Sequence, residues 1–258
     1  MSGVCAAKAV VMVTVPHILL LAGSFEARRM AEALSDQDVS YDAWLSEAPR
    51  GDARMPQTPL LRRFDAPEEM RDAIAQGGYR AVLDASHGFD RHVTQQGFAA
   101  AKMLGLPYLR LERPAWEIEG HPKWHSVSDI YTANTMIGQG ARVFCATGWD
   151  SLPDYVGFQG EVLMLRQTRR HTRPAPYPFV ELMFDDPPFT AADEQALFKD
   201  QKVDTLICRN LGGRASRPKL DAAEALDLEV ILIERPRAPD GITTVADIHT
   251  ALDWIKTL

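Results

Sequence analysis

Short apolar runs that end in small and polar residues recur along this chain. Four of them cover residues 19–21, 81–83, 143–145 and 206–208, and the turns that follow contain Gly23, Gly88, Gly148 and the pair Gly212-Gly213. Parallel strands of an open α/β sheet end in such turns, and ligands bind in the crevice beyond their carboxyl ends. We therefore expect the function of this protein to lie where these turns meet.

The spacing of apolar residues predicts alternating strands and helices in both halves. In the first half it predicts strands over residues 17–22, 39–45, 79–84 and 106–111, with helices over 25–34, 67–76 and 94–104. In the second half it predicts strands over 143–146, 161–166, 203–208 and 229–233. The helices of that half are expected over 128–138, after Gly148, and over 191–199, 219–226 and 245–256.

Residues 112–123 contain Pro114, Gly120 and Pro122, a composition typical of a linker between domains. The pattern therefore predicts an α/β fold of two doubly wound domains with mainly parallel sheets. We place the first domain at residues 17–115 and the second at 116–258. Residues 1–16 are expected to form a flexible tail, because their apolar run is too short for a convincing secretory signal.

The composition and charge of the chain argue against several classes of protein. The chain has 258 residues, 46% hydrophobic and 24% charged, and a net charge of -7, which favours a globular protein that does not bind nucleic acid. No apolar stretch is long enough to span a membrane. Cys5, Cys145 and Cys208 lack disulfide or zinc spacing, and His121 and His125 have no third ligand, so we expect reduced thiols, no metal and a cytoplasmic location. A monomer is compatible with this sequence.

The first turn has the features of a phosphate site. Gly23 lets the backbone approach a ligand, and Ser24, Phe25 and Glu26 open the first predicted helix, whose N–H groups and dipole favour an anion. The turn lacks the full GxGxxG pattern of dinucleotide folds. An ordinary strand-to-helix turn is the alternative.

The second predicted strand ends about twenty residues beyond Gly23, where dinucleotide enzymes read the adenosine ribose. Ser46 and Arg50 suit the 2′-phosphate of NADP, whereas Glu47 suits the 2′-hydroxyl of NAD. We favour NADP with Glu47 pointing outward, and a solvated loop is the alternative.

Other turns offer further chemistry. His87 is titratable and follows a strand directly, although a histidine that caps the next helix is the alternative. Gly212 and Gly213 indicate close backbone approach, either to a ligand or to a neighbouring loop. Two groups of basic residues would complement an anionic ligand if they face the crevice. These groups are Arg166, Arg169, Arg170, His171 and Arg173, and Arg209, Arg214, Arg217 and Lys219.

Taken in order, these turns resemble the precorrin-6A reductase family of cobalamin biosynthesis. The stretches that carry the resemblance span nearly the whole chain. They are residues 20–27, 83–89, 109–116, 146–148, 209–213, 219–223 and 233–236.

The resemblance implies two Rossmann-like domains with a cleft between them, and reduction of one double bond of precorrin-6A or cobalt-precorrin-6A by NADPH. Gly23, Ser24, Phe25 and Glu26 would hold the diphosphate region of NADPH, with Ser86, His87 and Gly88 close to it. The opposite, tetrapyrrole-binding wall would contain Thr147, Gly148, Asn210, Gly212, Gly213 and Lys219, to which we add Arg209 from the basic groups. His87 is our candidate proton donor.

Two other classes of function stay open on sequence grounds. One is a non-catalytic sensor that binds a nucleotide in one domain and an anionic ligand in the other. The second is a transferase that uses a nucleotide sugar.

Overall fold

A computed structural model describes residues 16–48 and 54–258, which form two six-stranded parallel sheets with helices packed on them. The tail predicted for residues 1–16 therefore lies almost wholly outside the described residues, and so does Arg50. The strands are β1 (Ile18–Ala22), β2 (Tyr41–Leu45), β3 (Leu60–Leu61), β4 (Ala81–Asp84), β5 (Tyr108–Leu111), β6 (Trp124–Val127), β7 (Arg142–Ala146), β8 (Val162–Gln167), β9 (Val180–Phe184), β10 (Thr205–Arg209), β11 (Glu229–Ile233) and β12 (Thr243–Val245).

Five of the seven α-helices in the described residues begin where a polar side chain accepts a free N–H group of the first turn. Ser24, Asp90, Asp129, Thr190 and Asp247 cap their helices in this way. The helices are α1 (Phe25–Asp36), α2 (Pro67–Gly77), α3 (Arg91–Leu104), α4 (Ile130–Met136), α5 (Ala191–Asp200), α6 (Pro218–Ala225) and α7 (Ile248–Ile255), with a 3₁₀ helix at Trp149–Tyr155. In the described part of the chain, none of these is long and apolar enough to cross a membrane.

Both sheets have the same strand order. The first reads β3-β2-β1-β4-β5-β12 and the second β9-β8-β7-β10-β11-β6. In each sheet the direction of strand addition reverses once, between β1 and β4 and between β7 and β10. This is the order of dinucleotide-binding folds, in which the ligand crevice opens at the reversal. The two parallel sheets confirm the predicted α/β class.

One outer strand of the first sheet, β12, comes from the far end of the chain. After β5 the chain crosses over and places β6 in the second sheet, and after β11 it returns and places β12 beside β5 in the first. Helix α7 follows β12 and buries Ala251, Leu252 and Ile255 in the core formed with β1 and α1. The sequence analysis places β12 and α7 in the second domain, at residues 116–258, whereas the structure packs them on the first sheet.

Burial explains which elements the apolar pattern could reveal. Strand β1 is covered on both faces and is apolar throughout, while α1 buries only Ala27, Met30, Ala31 and Leu34, the residues on one side of the helix. The pattern missed the four edge strands of the two sheets, namely β3, β6, β9 and β12. It also predicted helix from residue 245, but that residue ends β12, and α7 begins only after its cap at Asp247.

Candidate functional site

The turns after β1 and β4 lie side by side at the reversal point of the first sheet. The Ser24 hydroxyl donates to the Ala85 carbonyl at 2.8 Å and accepts from the Ala27 N–H at 3.1 Å. Gly23 has φ +154°, and a Cβ placed on it would lie 3.0 Å from the backbone nitrogen of His87. The sequence-predicted residues of these two turns are therefore brought together, and only glycine fits at position 23 without strain.

A buried ionic network holds the second of these turns in place. Asp84 is fully buried and accepts from Arg110 at 2.6 Å, from Thr94 at 2.8 Å and from Tyr108 at 2.9 Å. Its other oxygen accepts from the backbone N–H of Ser86 at 2.9 Å. Burial and the Asp84 charge raise the pKa of the Tyr108 hydroxyl well above its usual value, so it stays protonated and donating.

His87 does not cap the following helix, because Asp90 does so through Val93 N–H. The His87 Nδ1 accepts from the Phe89 N–H at 3.2 Å, so in the neutral ring the proton is on Nε2. Beside it, a Cβ on Gly88 would lie 2.9 Å from the Arg235 side chain, which belongs to the loop after β11. The turn after β4 is thus in contact with the second half of the chain.

The end of β2 is held by side chains from two other segments. The Ser46 hydroxyl donates to Asp90 at 2.5 Å and so supports the cap of α3. The Ser46 carbonyl accepts from Arg63 Nε at 2.6 Å. Glu47 is exposed, and Arg50 is outside the described residues. Arg63, which the sequence analysis does not single out, is therefore a cation in direct contact with this turn.

At the reversal point of the second sheet, Thr147 is turned inward. Its hydroxyl is buried and contacts Ser151 at 2.6 Å and the Cys145 sulfur at 3.0 Å. Its side chain is therefore committed to the core, although it was predicted to bind substrate. Gly148, with φ +92°, has no atom within 4 Å of a built Cβ. Beside it opens a cavity of about 250 Å³ lined by Trp149, Asp150, Leu152, Pro153, Pro176 and Tyr177.

The turn after β10 forms hydrogen bonds and close backbone contacts with the segment that connects the two halves. Asn210 is buried; its Oδ1 accepts from the Trp116 N–H at 2.8 Å and its Nδ2 donates to the Trp116 carbonyl at 2.9 Å. A Cβ on Gly212 would lie 1.9 Å from the Pro114 carbonyl oxygen. The close approach indicated by the paired glycines is therefore made to a neighbouring segment, and the Asn210 amide is occupied in holding it.

Arg113 joins the glycine turns of the two sheets. Its Nη1 pairs with both carboxylate oxygens of Glu26 at 2.6 and 2.7 Å, and its Nε donates to the Leu211 carbonyl at 2.7 Å. A Cβ on Gly213 would lie 2.5 Å from the same arginine side chain. The first turn of α1 and the turn after β10 are thus separated by a single side chain. The composition of residues 112–123 predicts a linker, and it gives no signal for the role of Arg113.

The basic residues of the second half have mixed roles. Arg209 lies 5.1 Å above the Phe89 ring at the junction of the halves. Arg166 is instead buried against Glu194 at 2.7 Å and packs on Phe144 and Phe189, so it belongs to the core. Lys219 donates to the Ser216 carbonyl at 2.6 Å. Burial lowers the pKa of the Lys219 ammonium.

The carboxyl ends of the two sheets therefore face each other across residues 112–116. In addition to the Arg113 contacts, Arg235 donates to the Arg113 carbonyl at 2.8 Å, and Arg169 reaches the Ala48 carbonyl at 3.3 Å. Within residues 16–48 and 54–258, no group of His, Cys, Asp and Glu side chains could hold a metal ion. Within the described residues, this arrangement brings glycine turns and cations together.

Comparison with known proteins gives a consistent result. The family profile for precorrin-6x reductase CbiJ/CobK matches residues 17–256. The precorrin-6A reductase of Rhodococcus erythropolis is 31% identical over 247 residues, covering 94% of this chain and 98% of that protein. That of Mycobacterium tuberculosis (strain CDC 1551 / Oshkosh) is 32% identical over 252 residues, with the same coverage.

A solved structure of CobK precorrin-6A reductase superimposes with a TM-score of 0.86 at 27% sequence identity, and the alignment covers 94% of this chain and 96% of that one. The match extends over both sheets and the segment between them. This chain belongs to the precorrin-6x reductase CbiJ/CobK family.

Proposed function

We propose that this protein reduces one double bond of precorrin-6A, or of its cobalt form, in cobalamin biosynthesis, with NADPH as the reductant. The observation that carries the proposal is the meeting of two strand-reversal points, one on each sheet, within a protein of this family. A two-substrate reduction needs such an arrangement, because both reactants must be held against each other in a fixed geometry.

The residues of the first sheet fit a dinucleotide. Gly23 leaves open the space that a Cβ would fill, and the first turn of α1 presents backbone N–H groups to an anion. Glu26 would repel a diphosphate at this position, but its carboxylate is paired with Arg113. Ser24 and Ser86 act through the shape of their turns, since the Ser24 hydroxyl is engaged by Ala85. When bound, NADPH supplies the hydride.

The second sheet supplies the wall for the tetrapyrrole, a polycarboxylate. Gly148, with its open surface and adjacent cavity, and Arg209 are the residues best placed to contact it. The roles we propose for Thr147, Asn210, Gly212 and Gly213 are indirect, because their contacts shape the turns and hold residues 113–116. Lys219 stands one residue inside α6 and adds positive charge to this wall.

Reduction of a carbon–carbon or carbon–nitrogen double bond requires a proton as well as a hydride. His87 is the proposed donor, because it lies at the junction of the halves and its Nδ1 is held by the Phe89 N–H, which leaves Nε2 as the nitrogen through which a proton would pass to the substrate. Replacement of His87 by Ala tests this role. Unchanged turnover with intact coenzyme binding would remove His87 from the mechanism.

The direct test is anaerobic incubation of the purified protein with precorrin-6A and either NADPH or NADH, while the absorbance of nicotinamide and pigment is followed. We expect NADPH to be oxidised as the pigment spectrum changes. Coenzyme binding without oxidation would favour the sensor, and preferential binding of a nucleotide sugar would favour the transferase. Cytoplasmic location and the monomeric state stay predictions, which fractionation and light scattering would check.

A further inference from the structure

We propose that Arg63 binds the phosphate on the adenosine ribose of the coenzyme and thereby makes this protein selective for NADPH over NADH. The proposal rests on the proposed function, because it concerns the coenzyme of that reaction. Arg63 stands outside the glycine turns, and its place in the fold, rather than its local sequence, assigns this role.

Strand β3 brings Arg63 to the carboxyl edge of the first sheet. It runs parallel to β2 with Leu45 opposite Leu61, and the Arg62 N–H donates to the Leu45 carbonyl at 2.8 Å. The chain therefore leaves the sheet beside Ser46. There the Arg63 Nε donates to the Ser46 carbonyl at 2.6 Å, which fixes an exposed guanidinium at the end of β2.

The end of the second strand is where this strand order places the adenosine ribose. Folds selective for NAD have a carboxylate there that accepts from the 2′-hydroxyl, whereas an arginine accommodates the 2′-phosphate. In this chain the neutral Ser46 follows β2 directly. The guanidinium of Arg63 suits a phosphate because it is planar, always charged and able to donate two parallel hydrogen bonds.

Two carboxylates, those of Asp90 and Glu47, lie near this position and could in principle accept from a ribose hydroxyl. Asp90 has both oxygens engaged, one by the Ser46 hydroxyl at 2.5 Å and the other by the Val93 N–H at 3.2 Å, so it is committed to the cap of α3. Glu47 is exposed and is the residue that would serve NADH instead. Arg169, from the second half, reaches the Ala48 carbonyl at 3.3 Å and adds positive charge beside the same turn.

Dissociation constants for NADPH and NADH, measured separately by protein fluorescence without tetrapyrrole, test the proposal. We expect the unaltered protein to bind NADPH more tightly. Arg63→Ala should weaken NADPH binding by about 10- to 100-fold and change NADH binding by less than about 2-fold, because only NADPH carries the phosphate. Arg62→Ala is the matched control, since the Arg62 guanidinium lies 5.8 Å over the Trp44 ring, and both constants should be unchanged.

The possible failures are distinguishable. Equal affinity of the unaltered protein for NADPH and NADH, or an unchanged NADPH constant in Arg63→Ala, overturns the role of Arg63 and leaves the proposed reduction standing. An equal loss in Arg62→Ala and Arg63→Ala also overturns it, since general surface charge would then explain the effect. Binding of neither coenzyme by the unaltered protein overturns the proposed function itself. Circular dichroism and the unfolding temperature verify that each variant is folded.

Discussion

Replacement of Gly212 by Ala should disturb the junction of the two sheets more than an equivalent change elsewhere. Gly212 has φ +66°, and the added Cβ would lie 1.9 Å from the Pro114 carbonyl oxygen. Alanine at positive φ costs roughly 1–2 kcal/mol. Relief of the overlap, which requires the backbone of residues 113–115 to shift, should cost about 1–3 kcal/mol more.

Gly105→Ala separates these two contributions. Gly105 has φ +65°, but nothing lies within 4 Å of a Cβ built on it, so only the backbone cost applies. We expect urea unfolding to show a loss of free energy that is about 1–3 kcal/mol larger for Gly212→Ala than for Gly105→Ala. Only Gly212→Ala should also lower kcat/KM for the tetrapyrrole, because Arg113 would move. Equal losses in the two variants would refute the close contact between the turn after β10 and residues 113–115.

Three further predictions concern the core. Asp84→Asn should lower the free energy of unfolding by about 3 kcal/mol, because Arg110 is left buried with only Glu112 as a charged partner. The double variant Asp84→Asn with Arg110→Met should recover part of that loss, and no recovery would refute the buried ion pair between Asp84 and Arg110. Ile255→Ala should lower the free energy of unfolding by about 2–5 kcal/mol if α7 completes the first core, whereas replacement of the exposed His249 by Ala should lower it by less than about 0.5 kcal/mol. A similarly small effect of both variants would contradict the packing of α7 on the first sheet. Burial raises the pKa of the Cys208 thiol to about 11, and Cys145 is also buried. In a Cys5→Ser variant, neither buried thiol should react with a disulfide reagent near pH 8 until urea unfolds the protein. Fast reaction of these thiols in the folded protein would contradict their burial.

The apolar pattern was sufficient for the central strands of both sheets, because strands covered on two faces are apolar throughout and end in glycine turns. Strand β1 and helix α1 were predicted within a residue or two. Edge strands such as β3 and β6 carry less burial and gave no clear signal. The pairing of β12 with β5 joins residues more than 130 positions apart, and local periodicity contains no information about such a long-range partner.

The candidate site was predictable at the level of turns but not of side-chain roles. The turns that contain Gly23 and His87 meet because parallel strands end at one edge. The pairing of Arg113 with Glu26, in contrast, joins residues 87 positions apart through a segment that looked like a linker. The inward orientation of Thr147 likewise depends on the 3₁₀ helix that packs over it, and the turn sequence alone does not reveal it.

Transfer of label from deuterated NADPH tests the central claim, that the two facing sheet edges hold a nicotinamide directly against a tetrapyrrole. The protein is incubated anaerobically with precorrin-6A and NADPH in which both hydrogens of the hydride-donating carbon are deuterium, and the product is analysed by mass spectrometry. The account predicts a reduced tetrapyrrole with one deuterium on carbon for each coenzyme oxidised. A reduced product without deuterium, or coenzyme oxidation without a change in the tetrapyrrole, would contradict it.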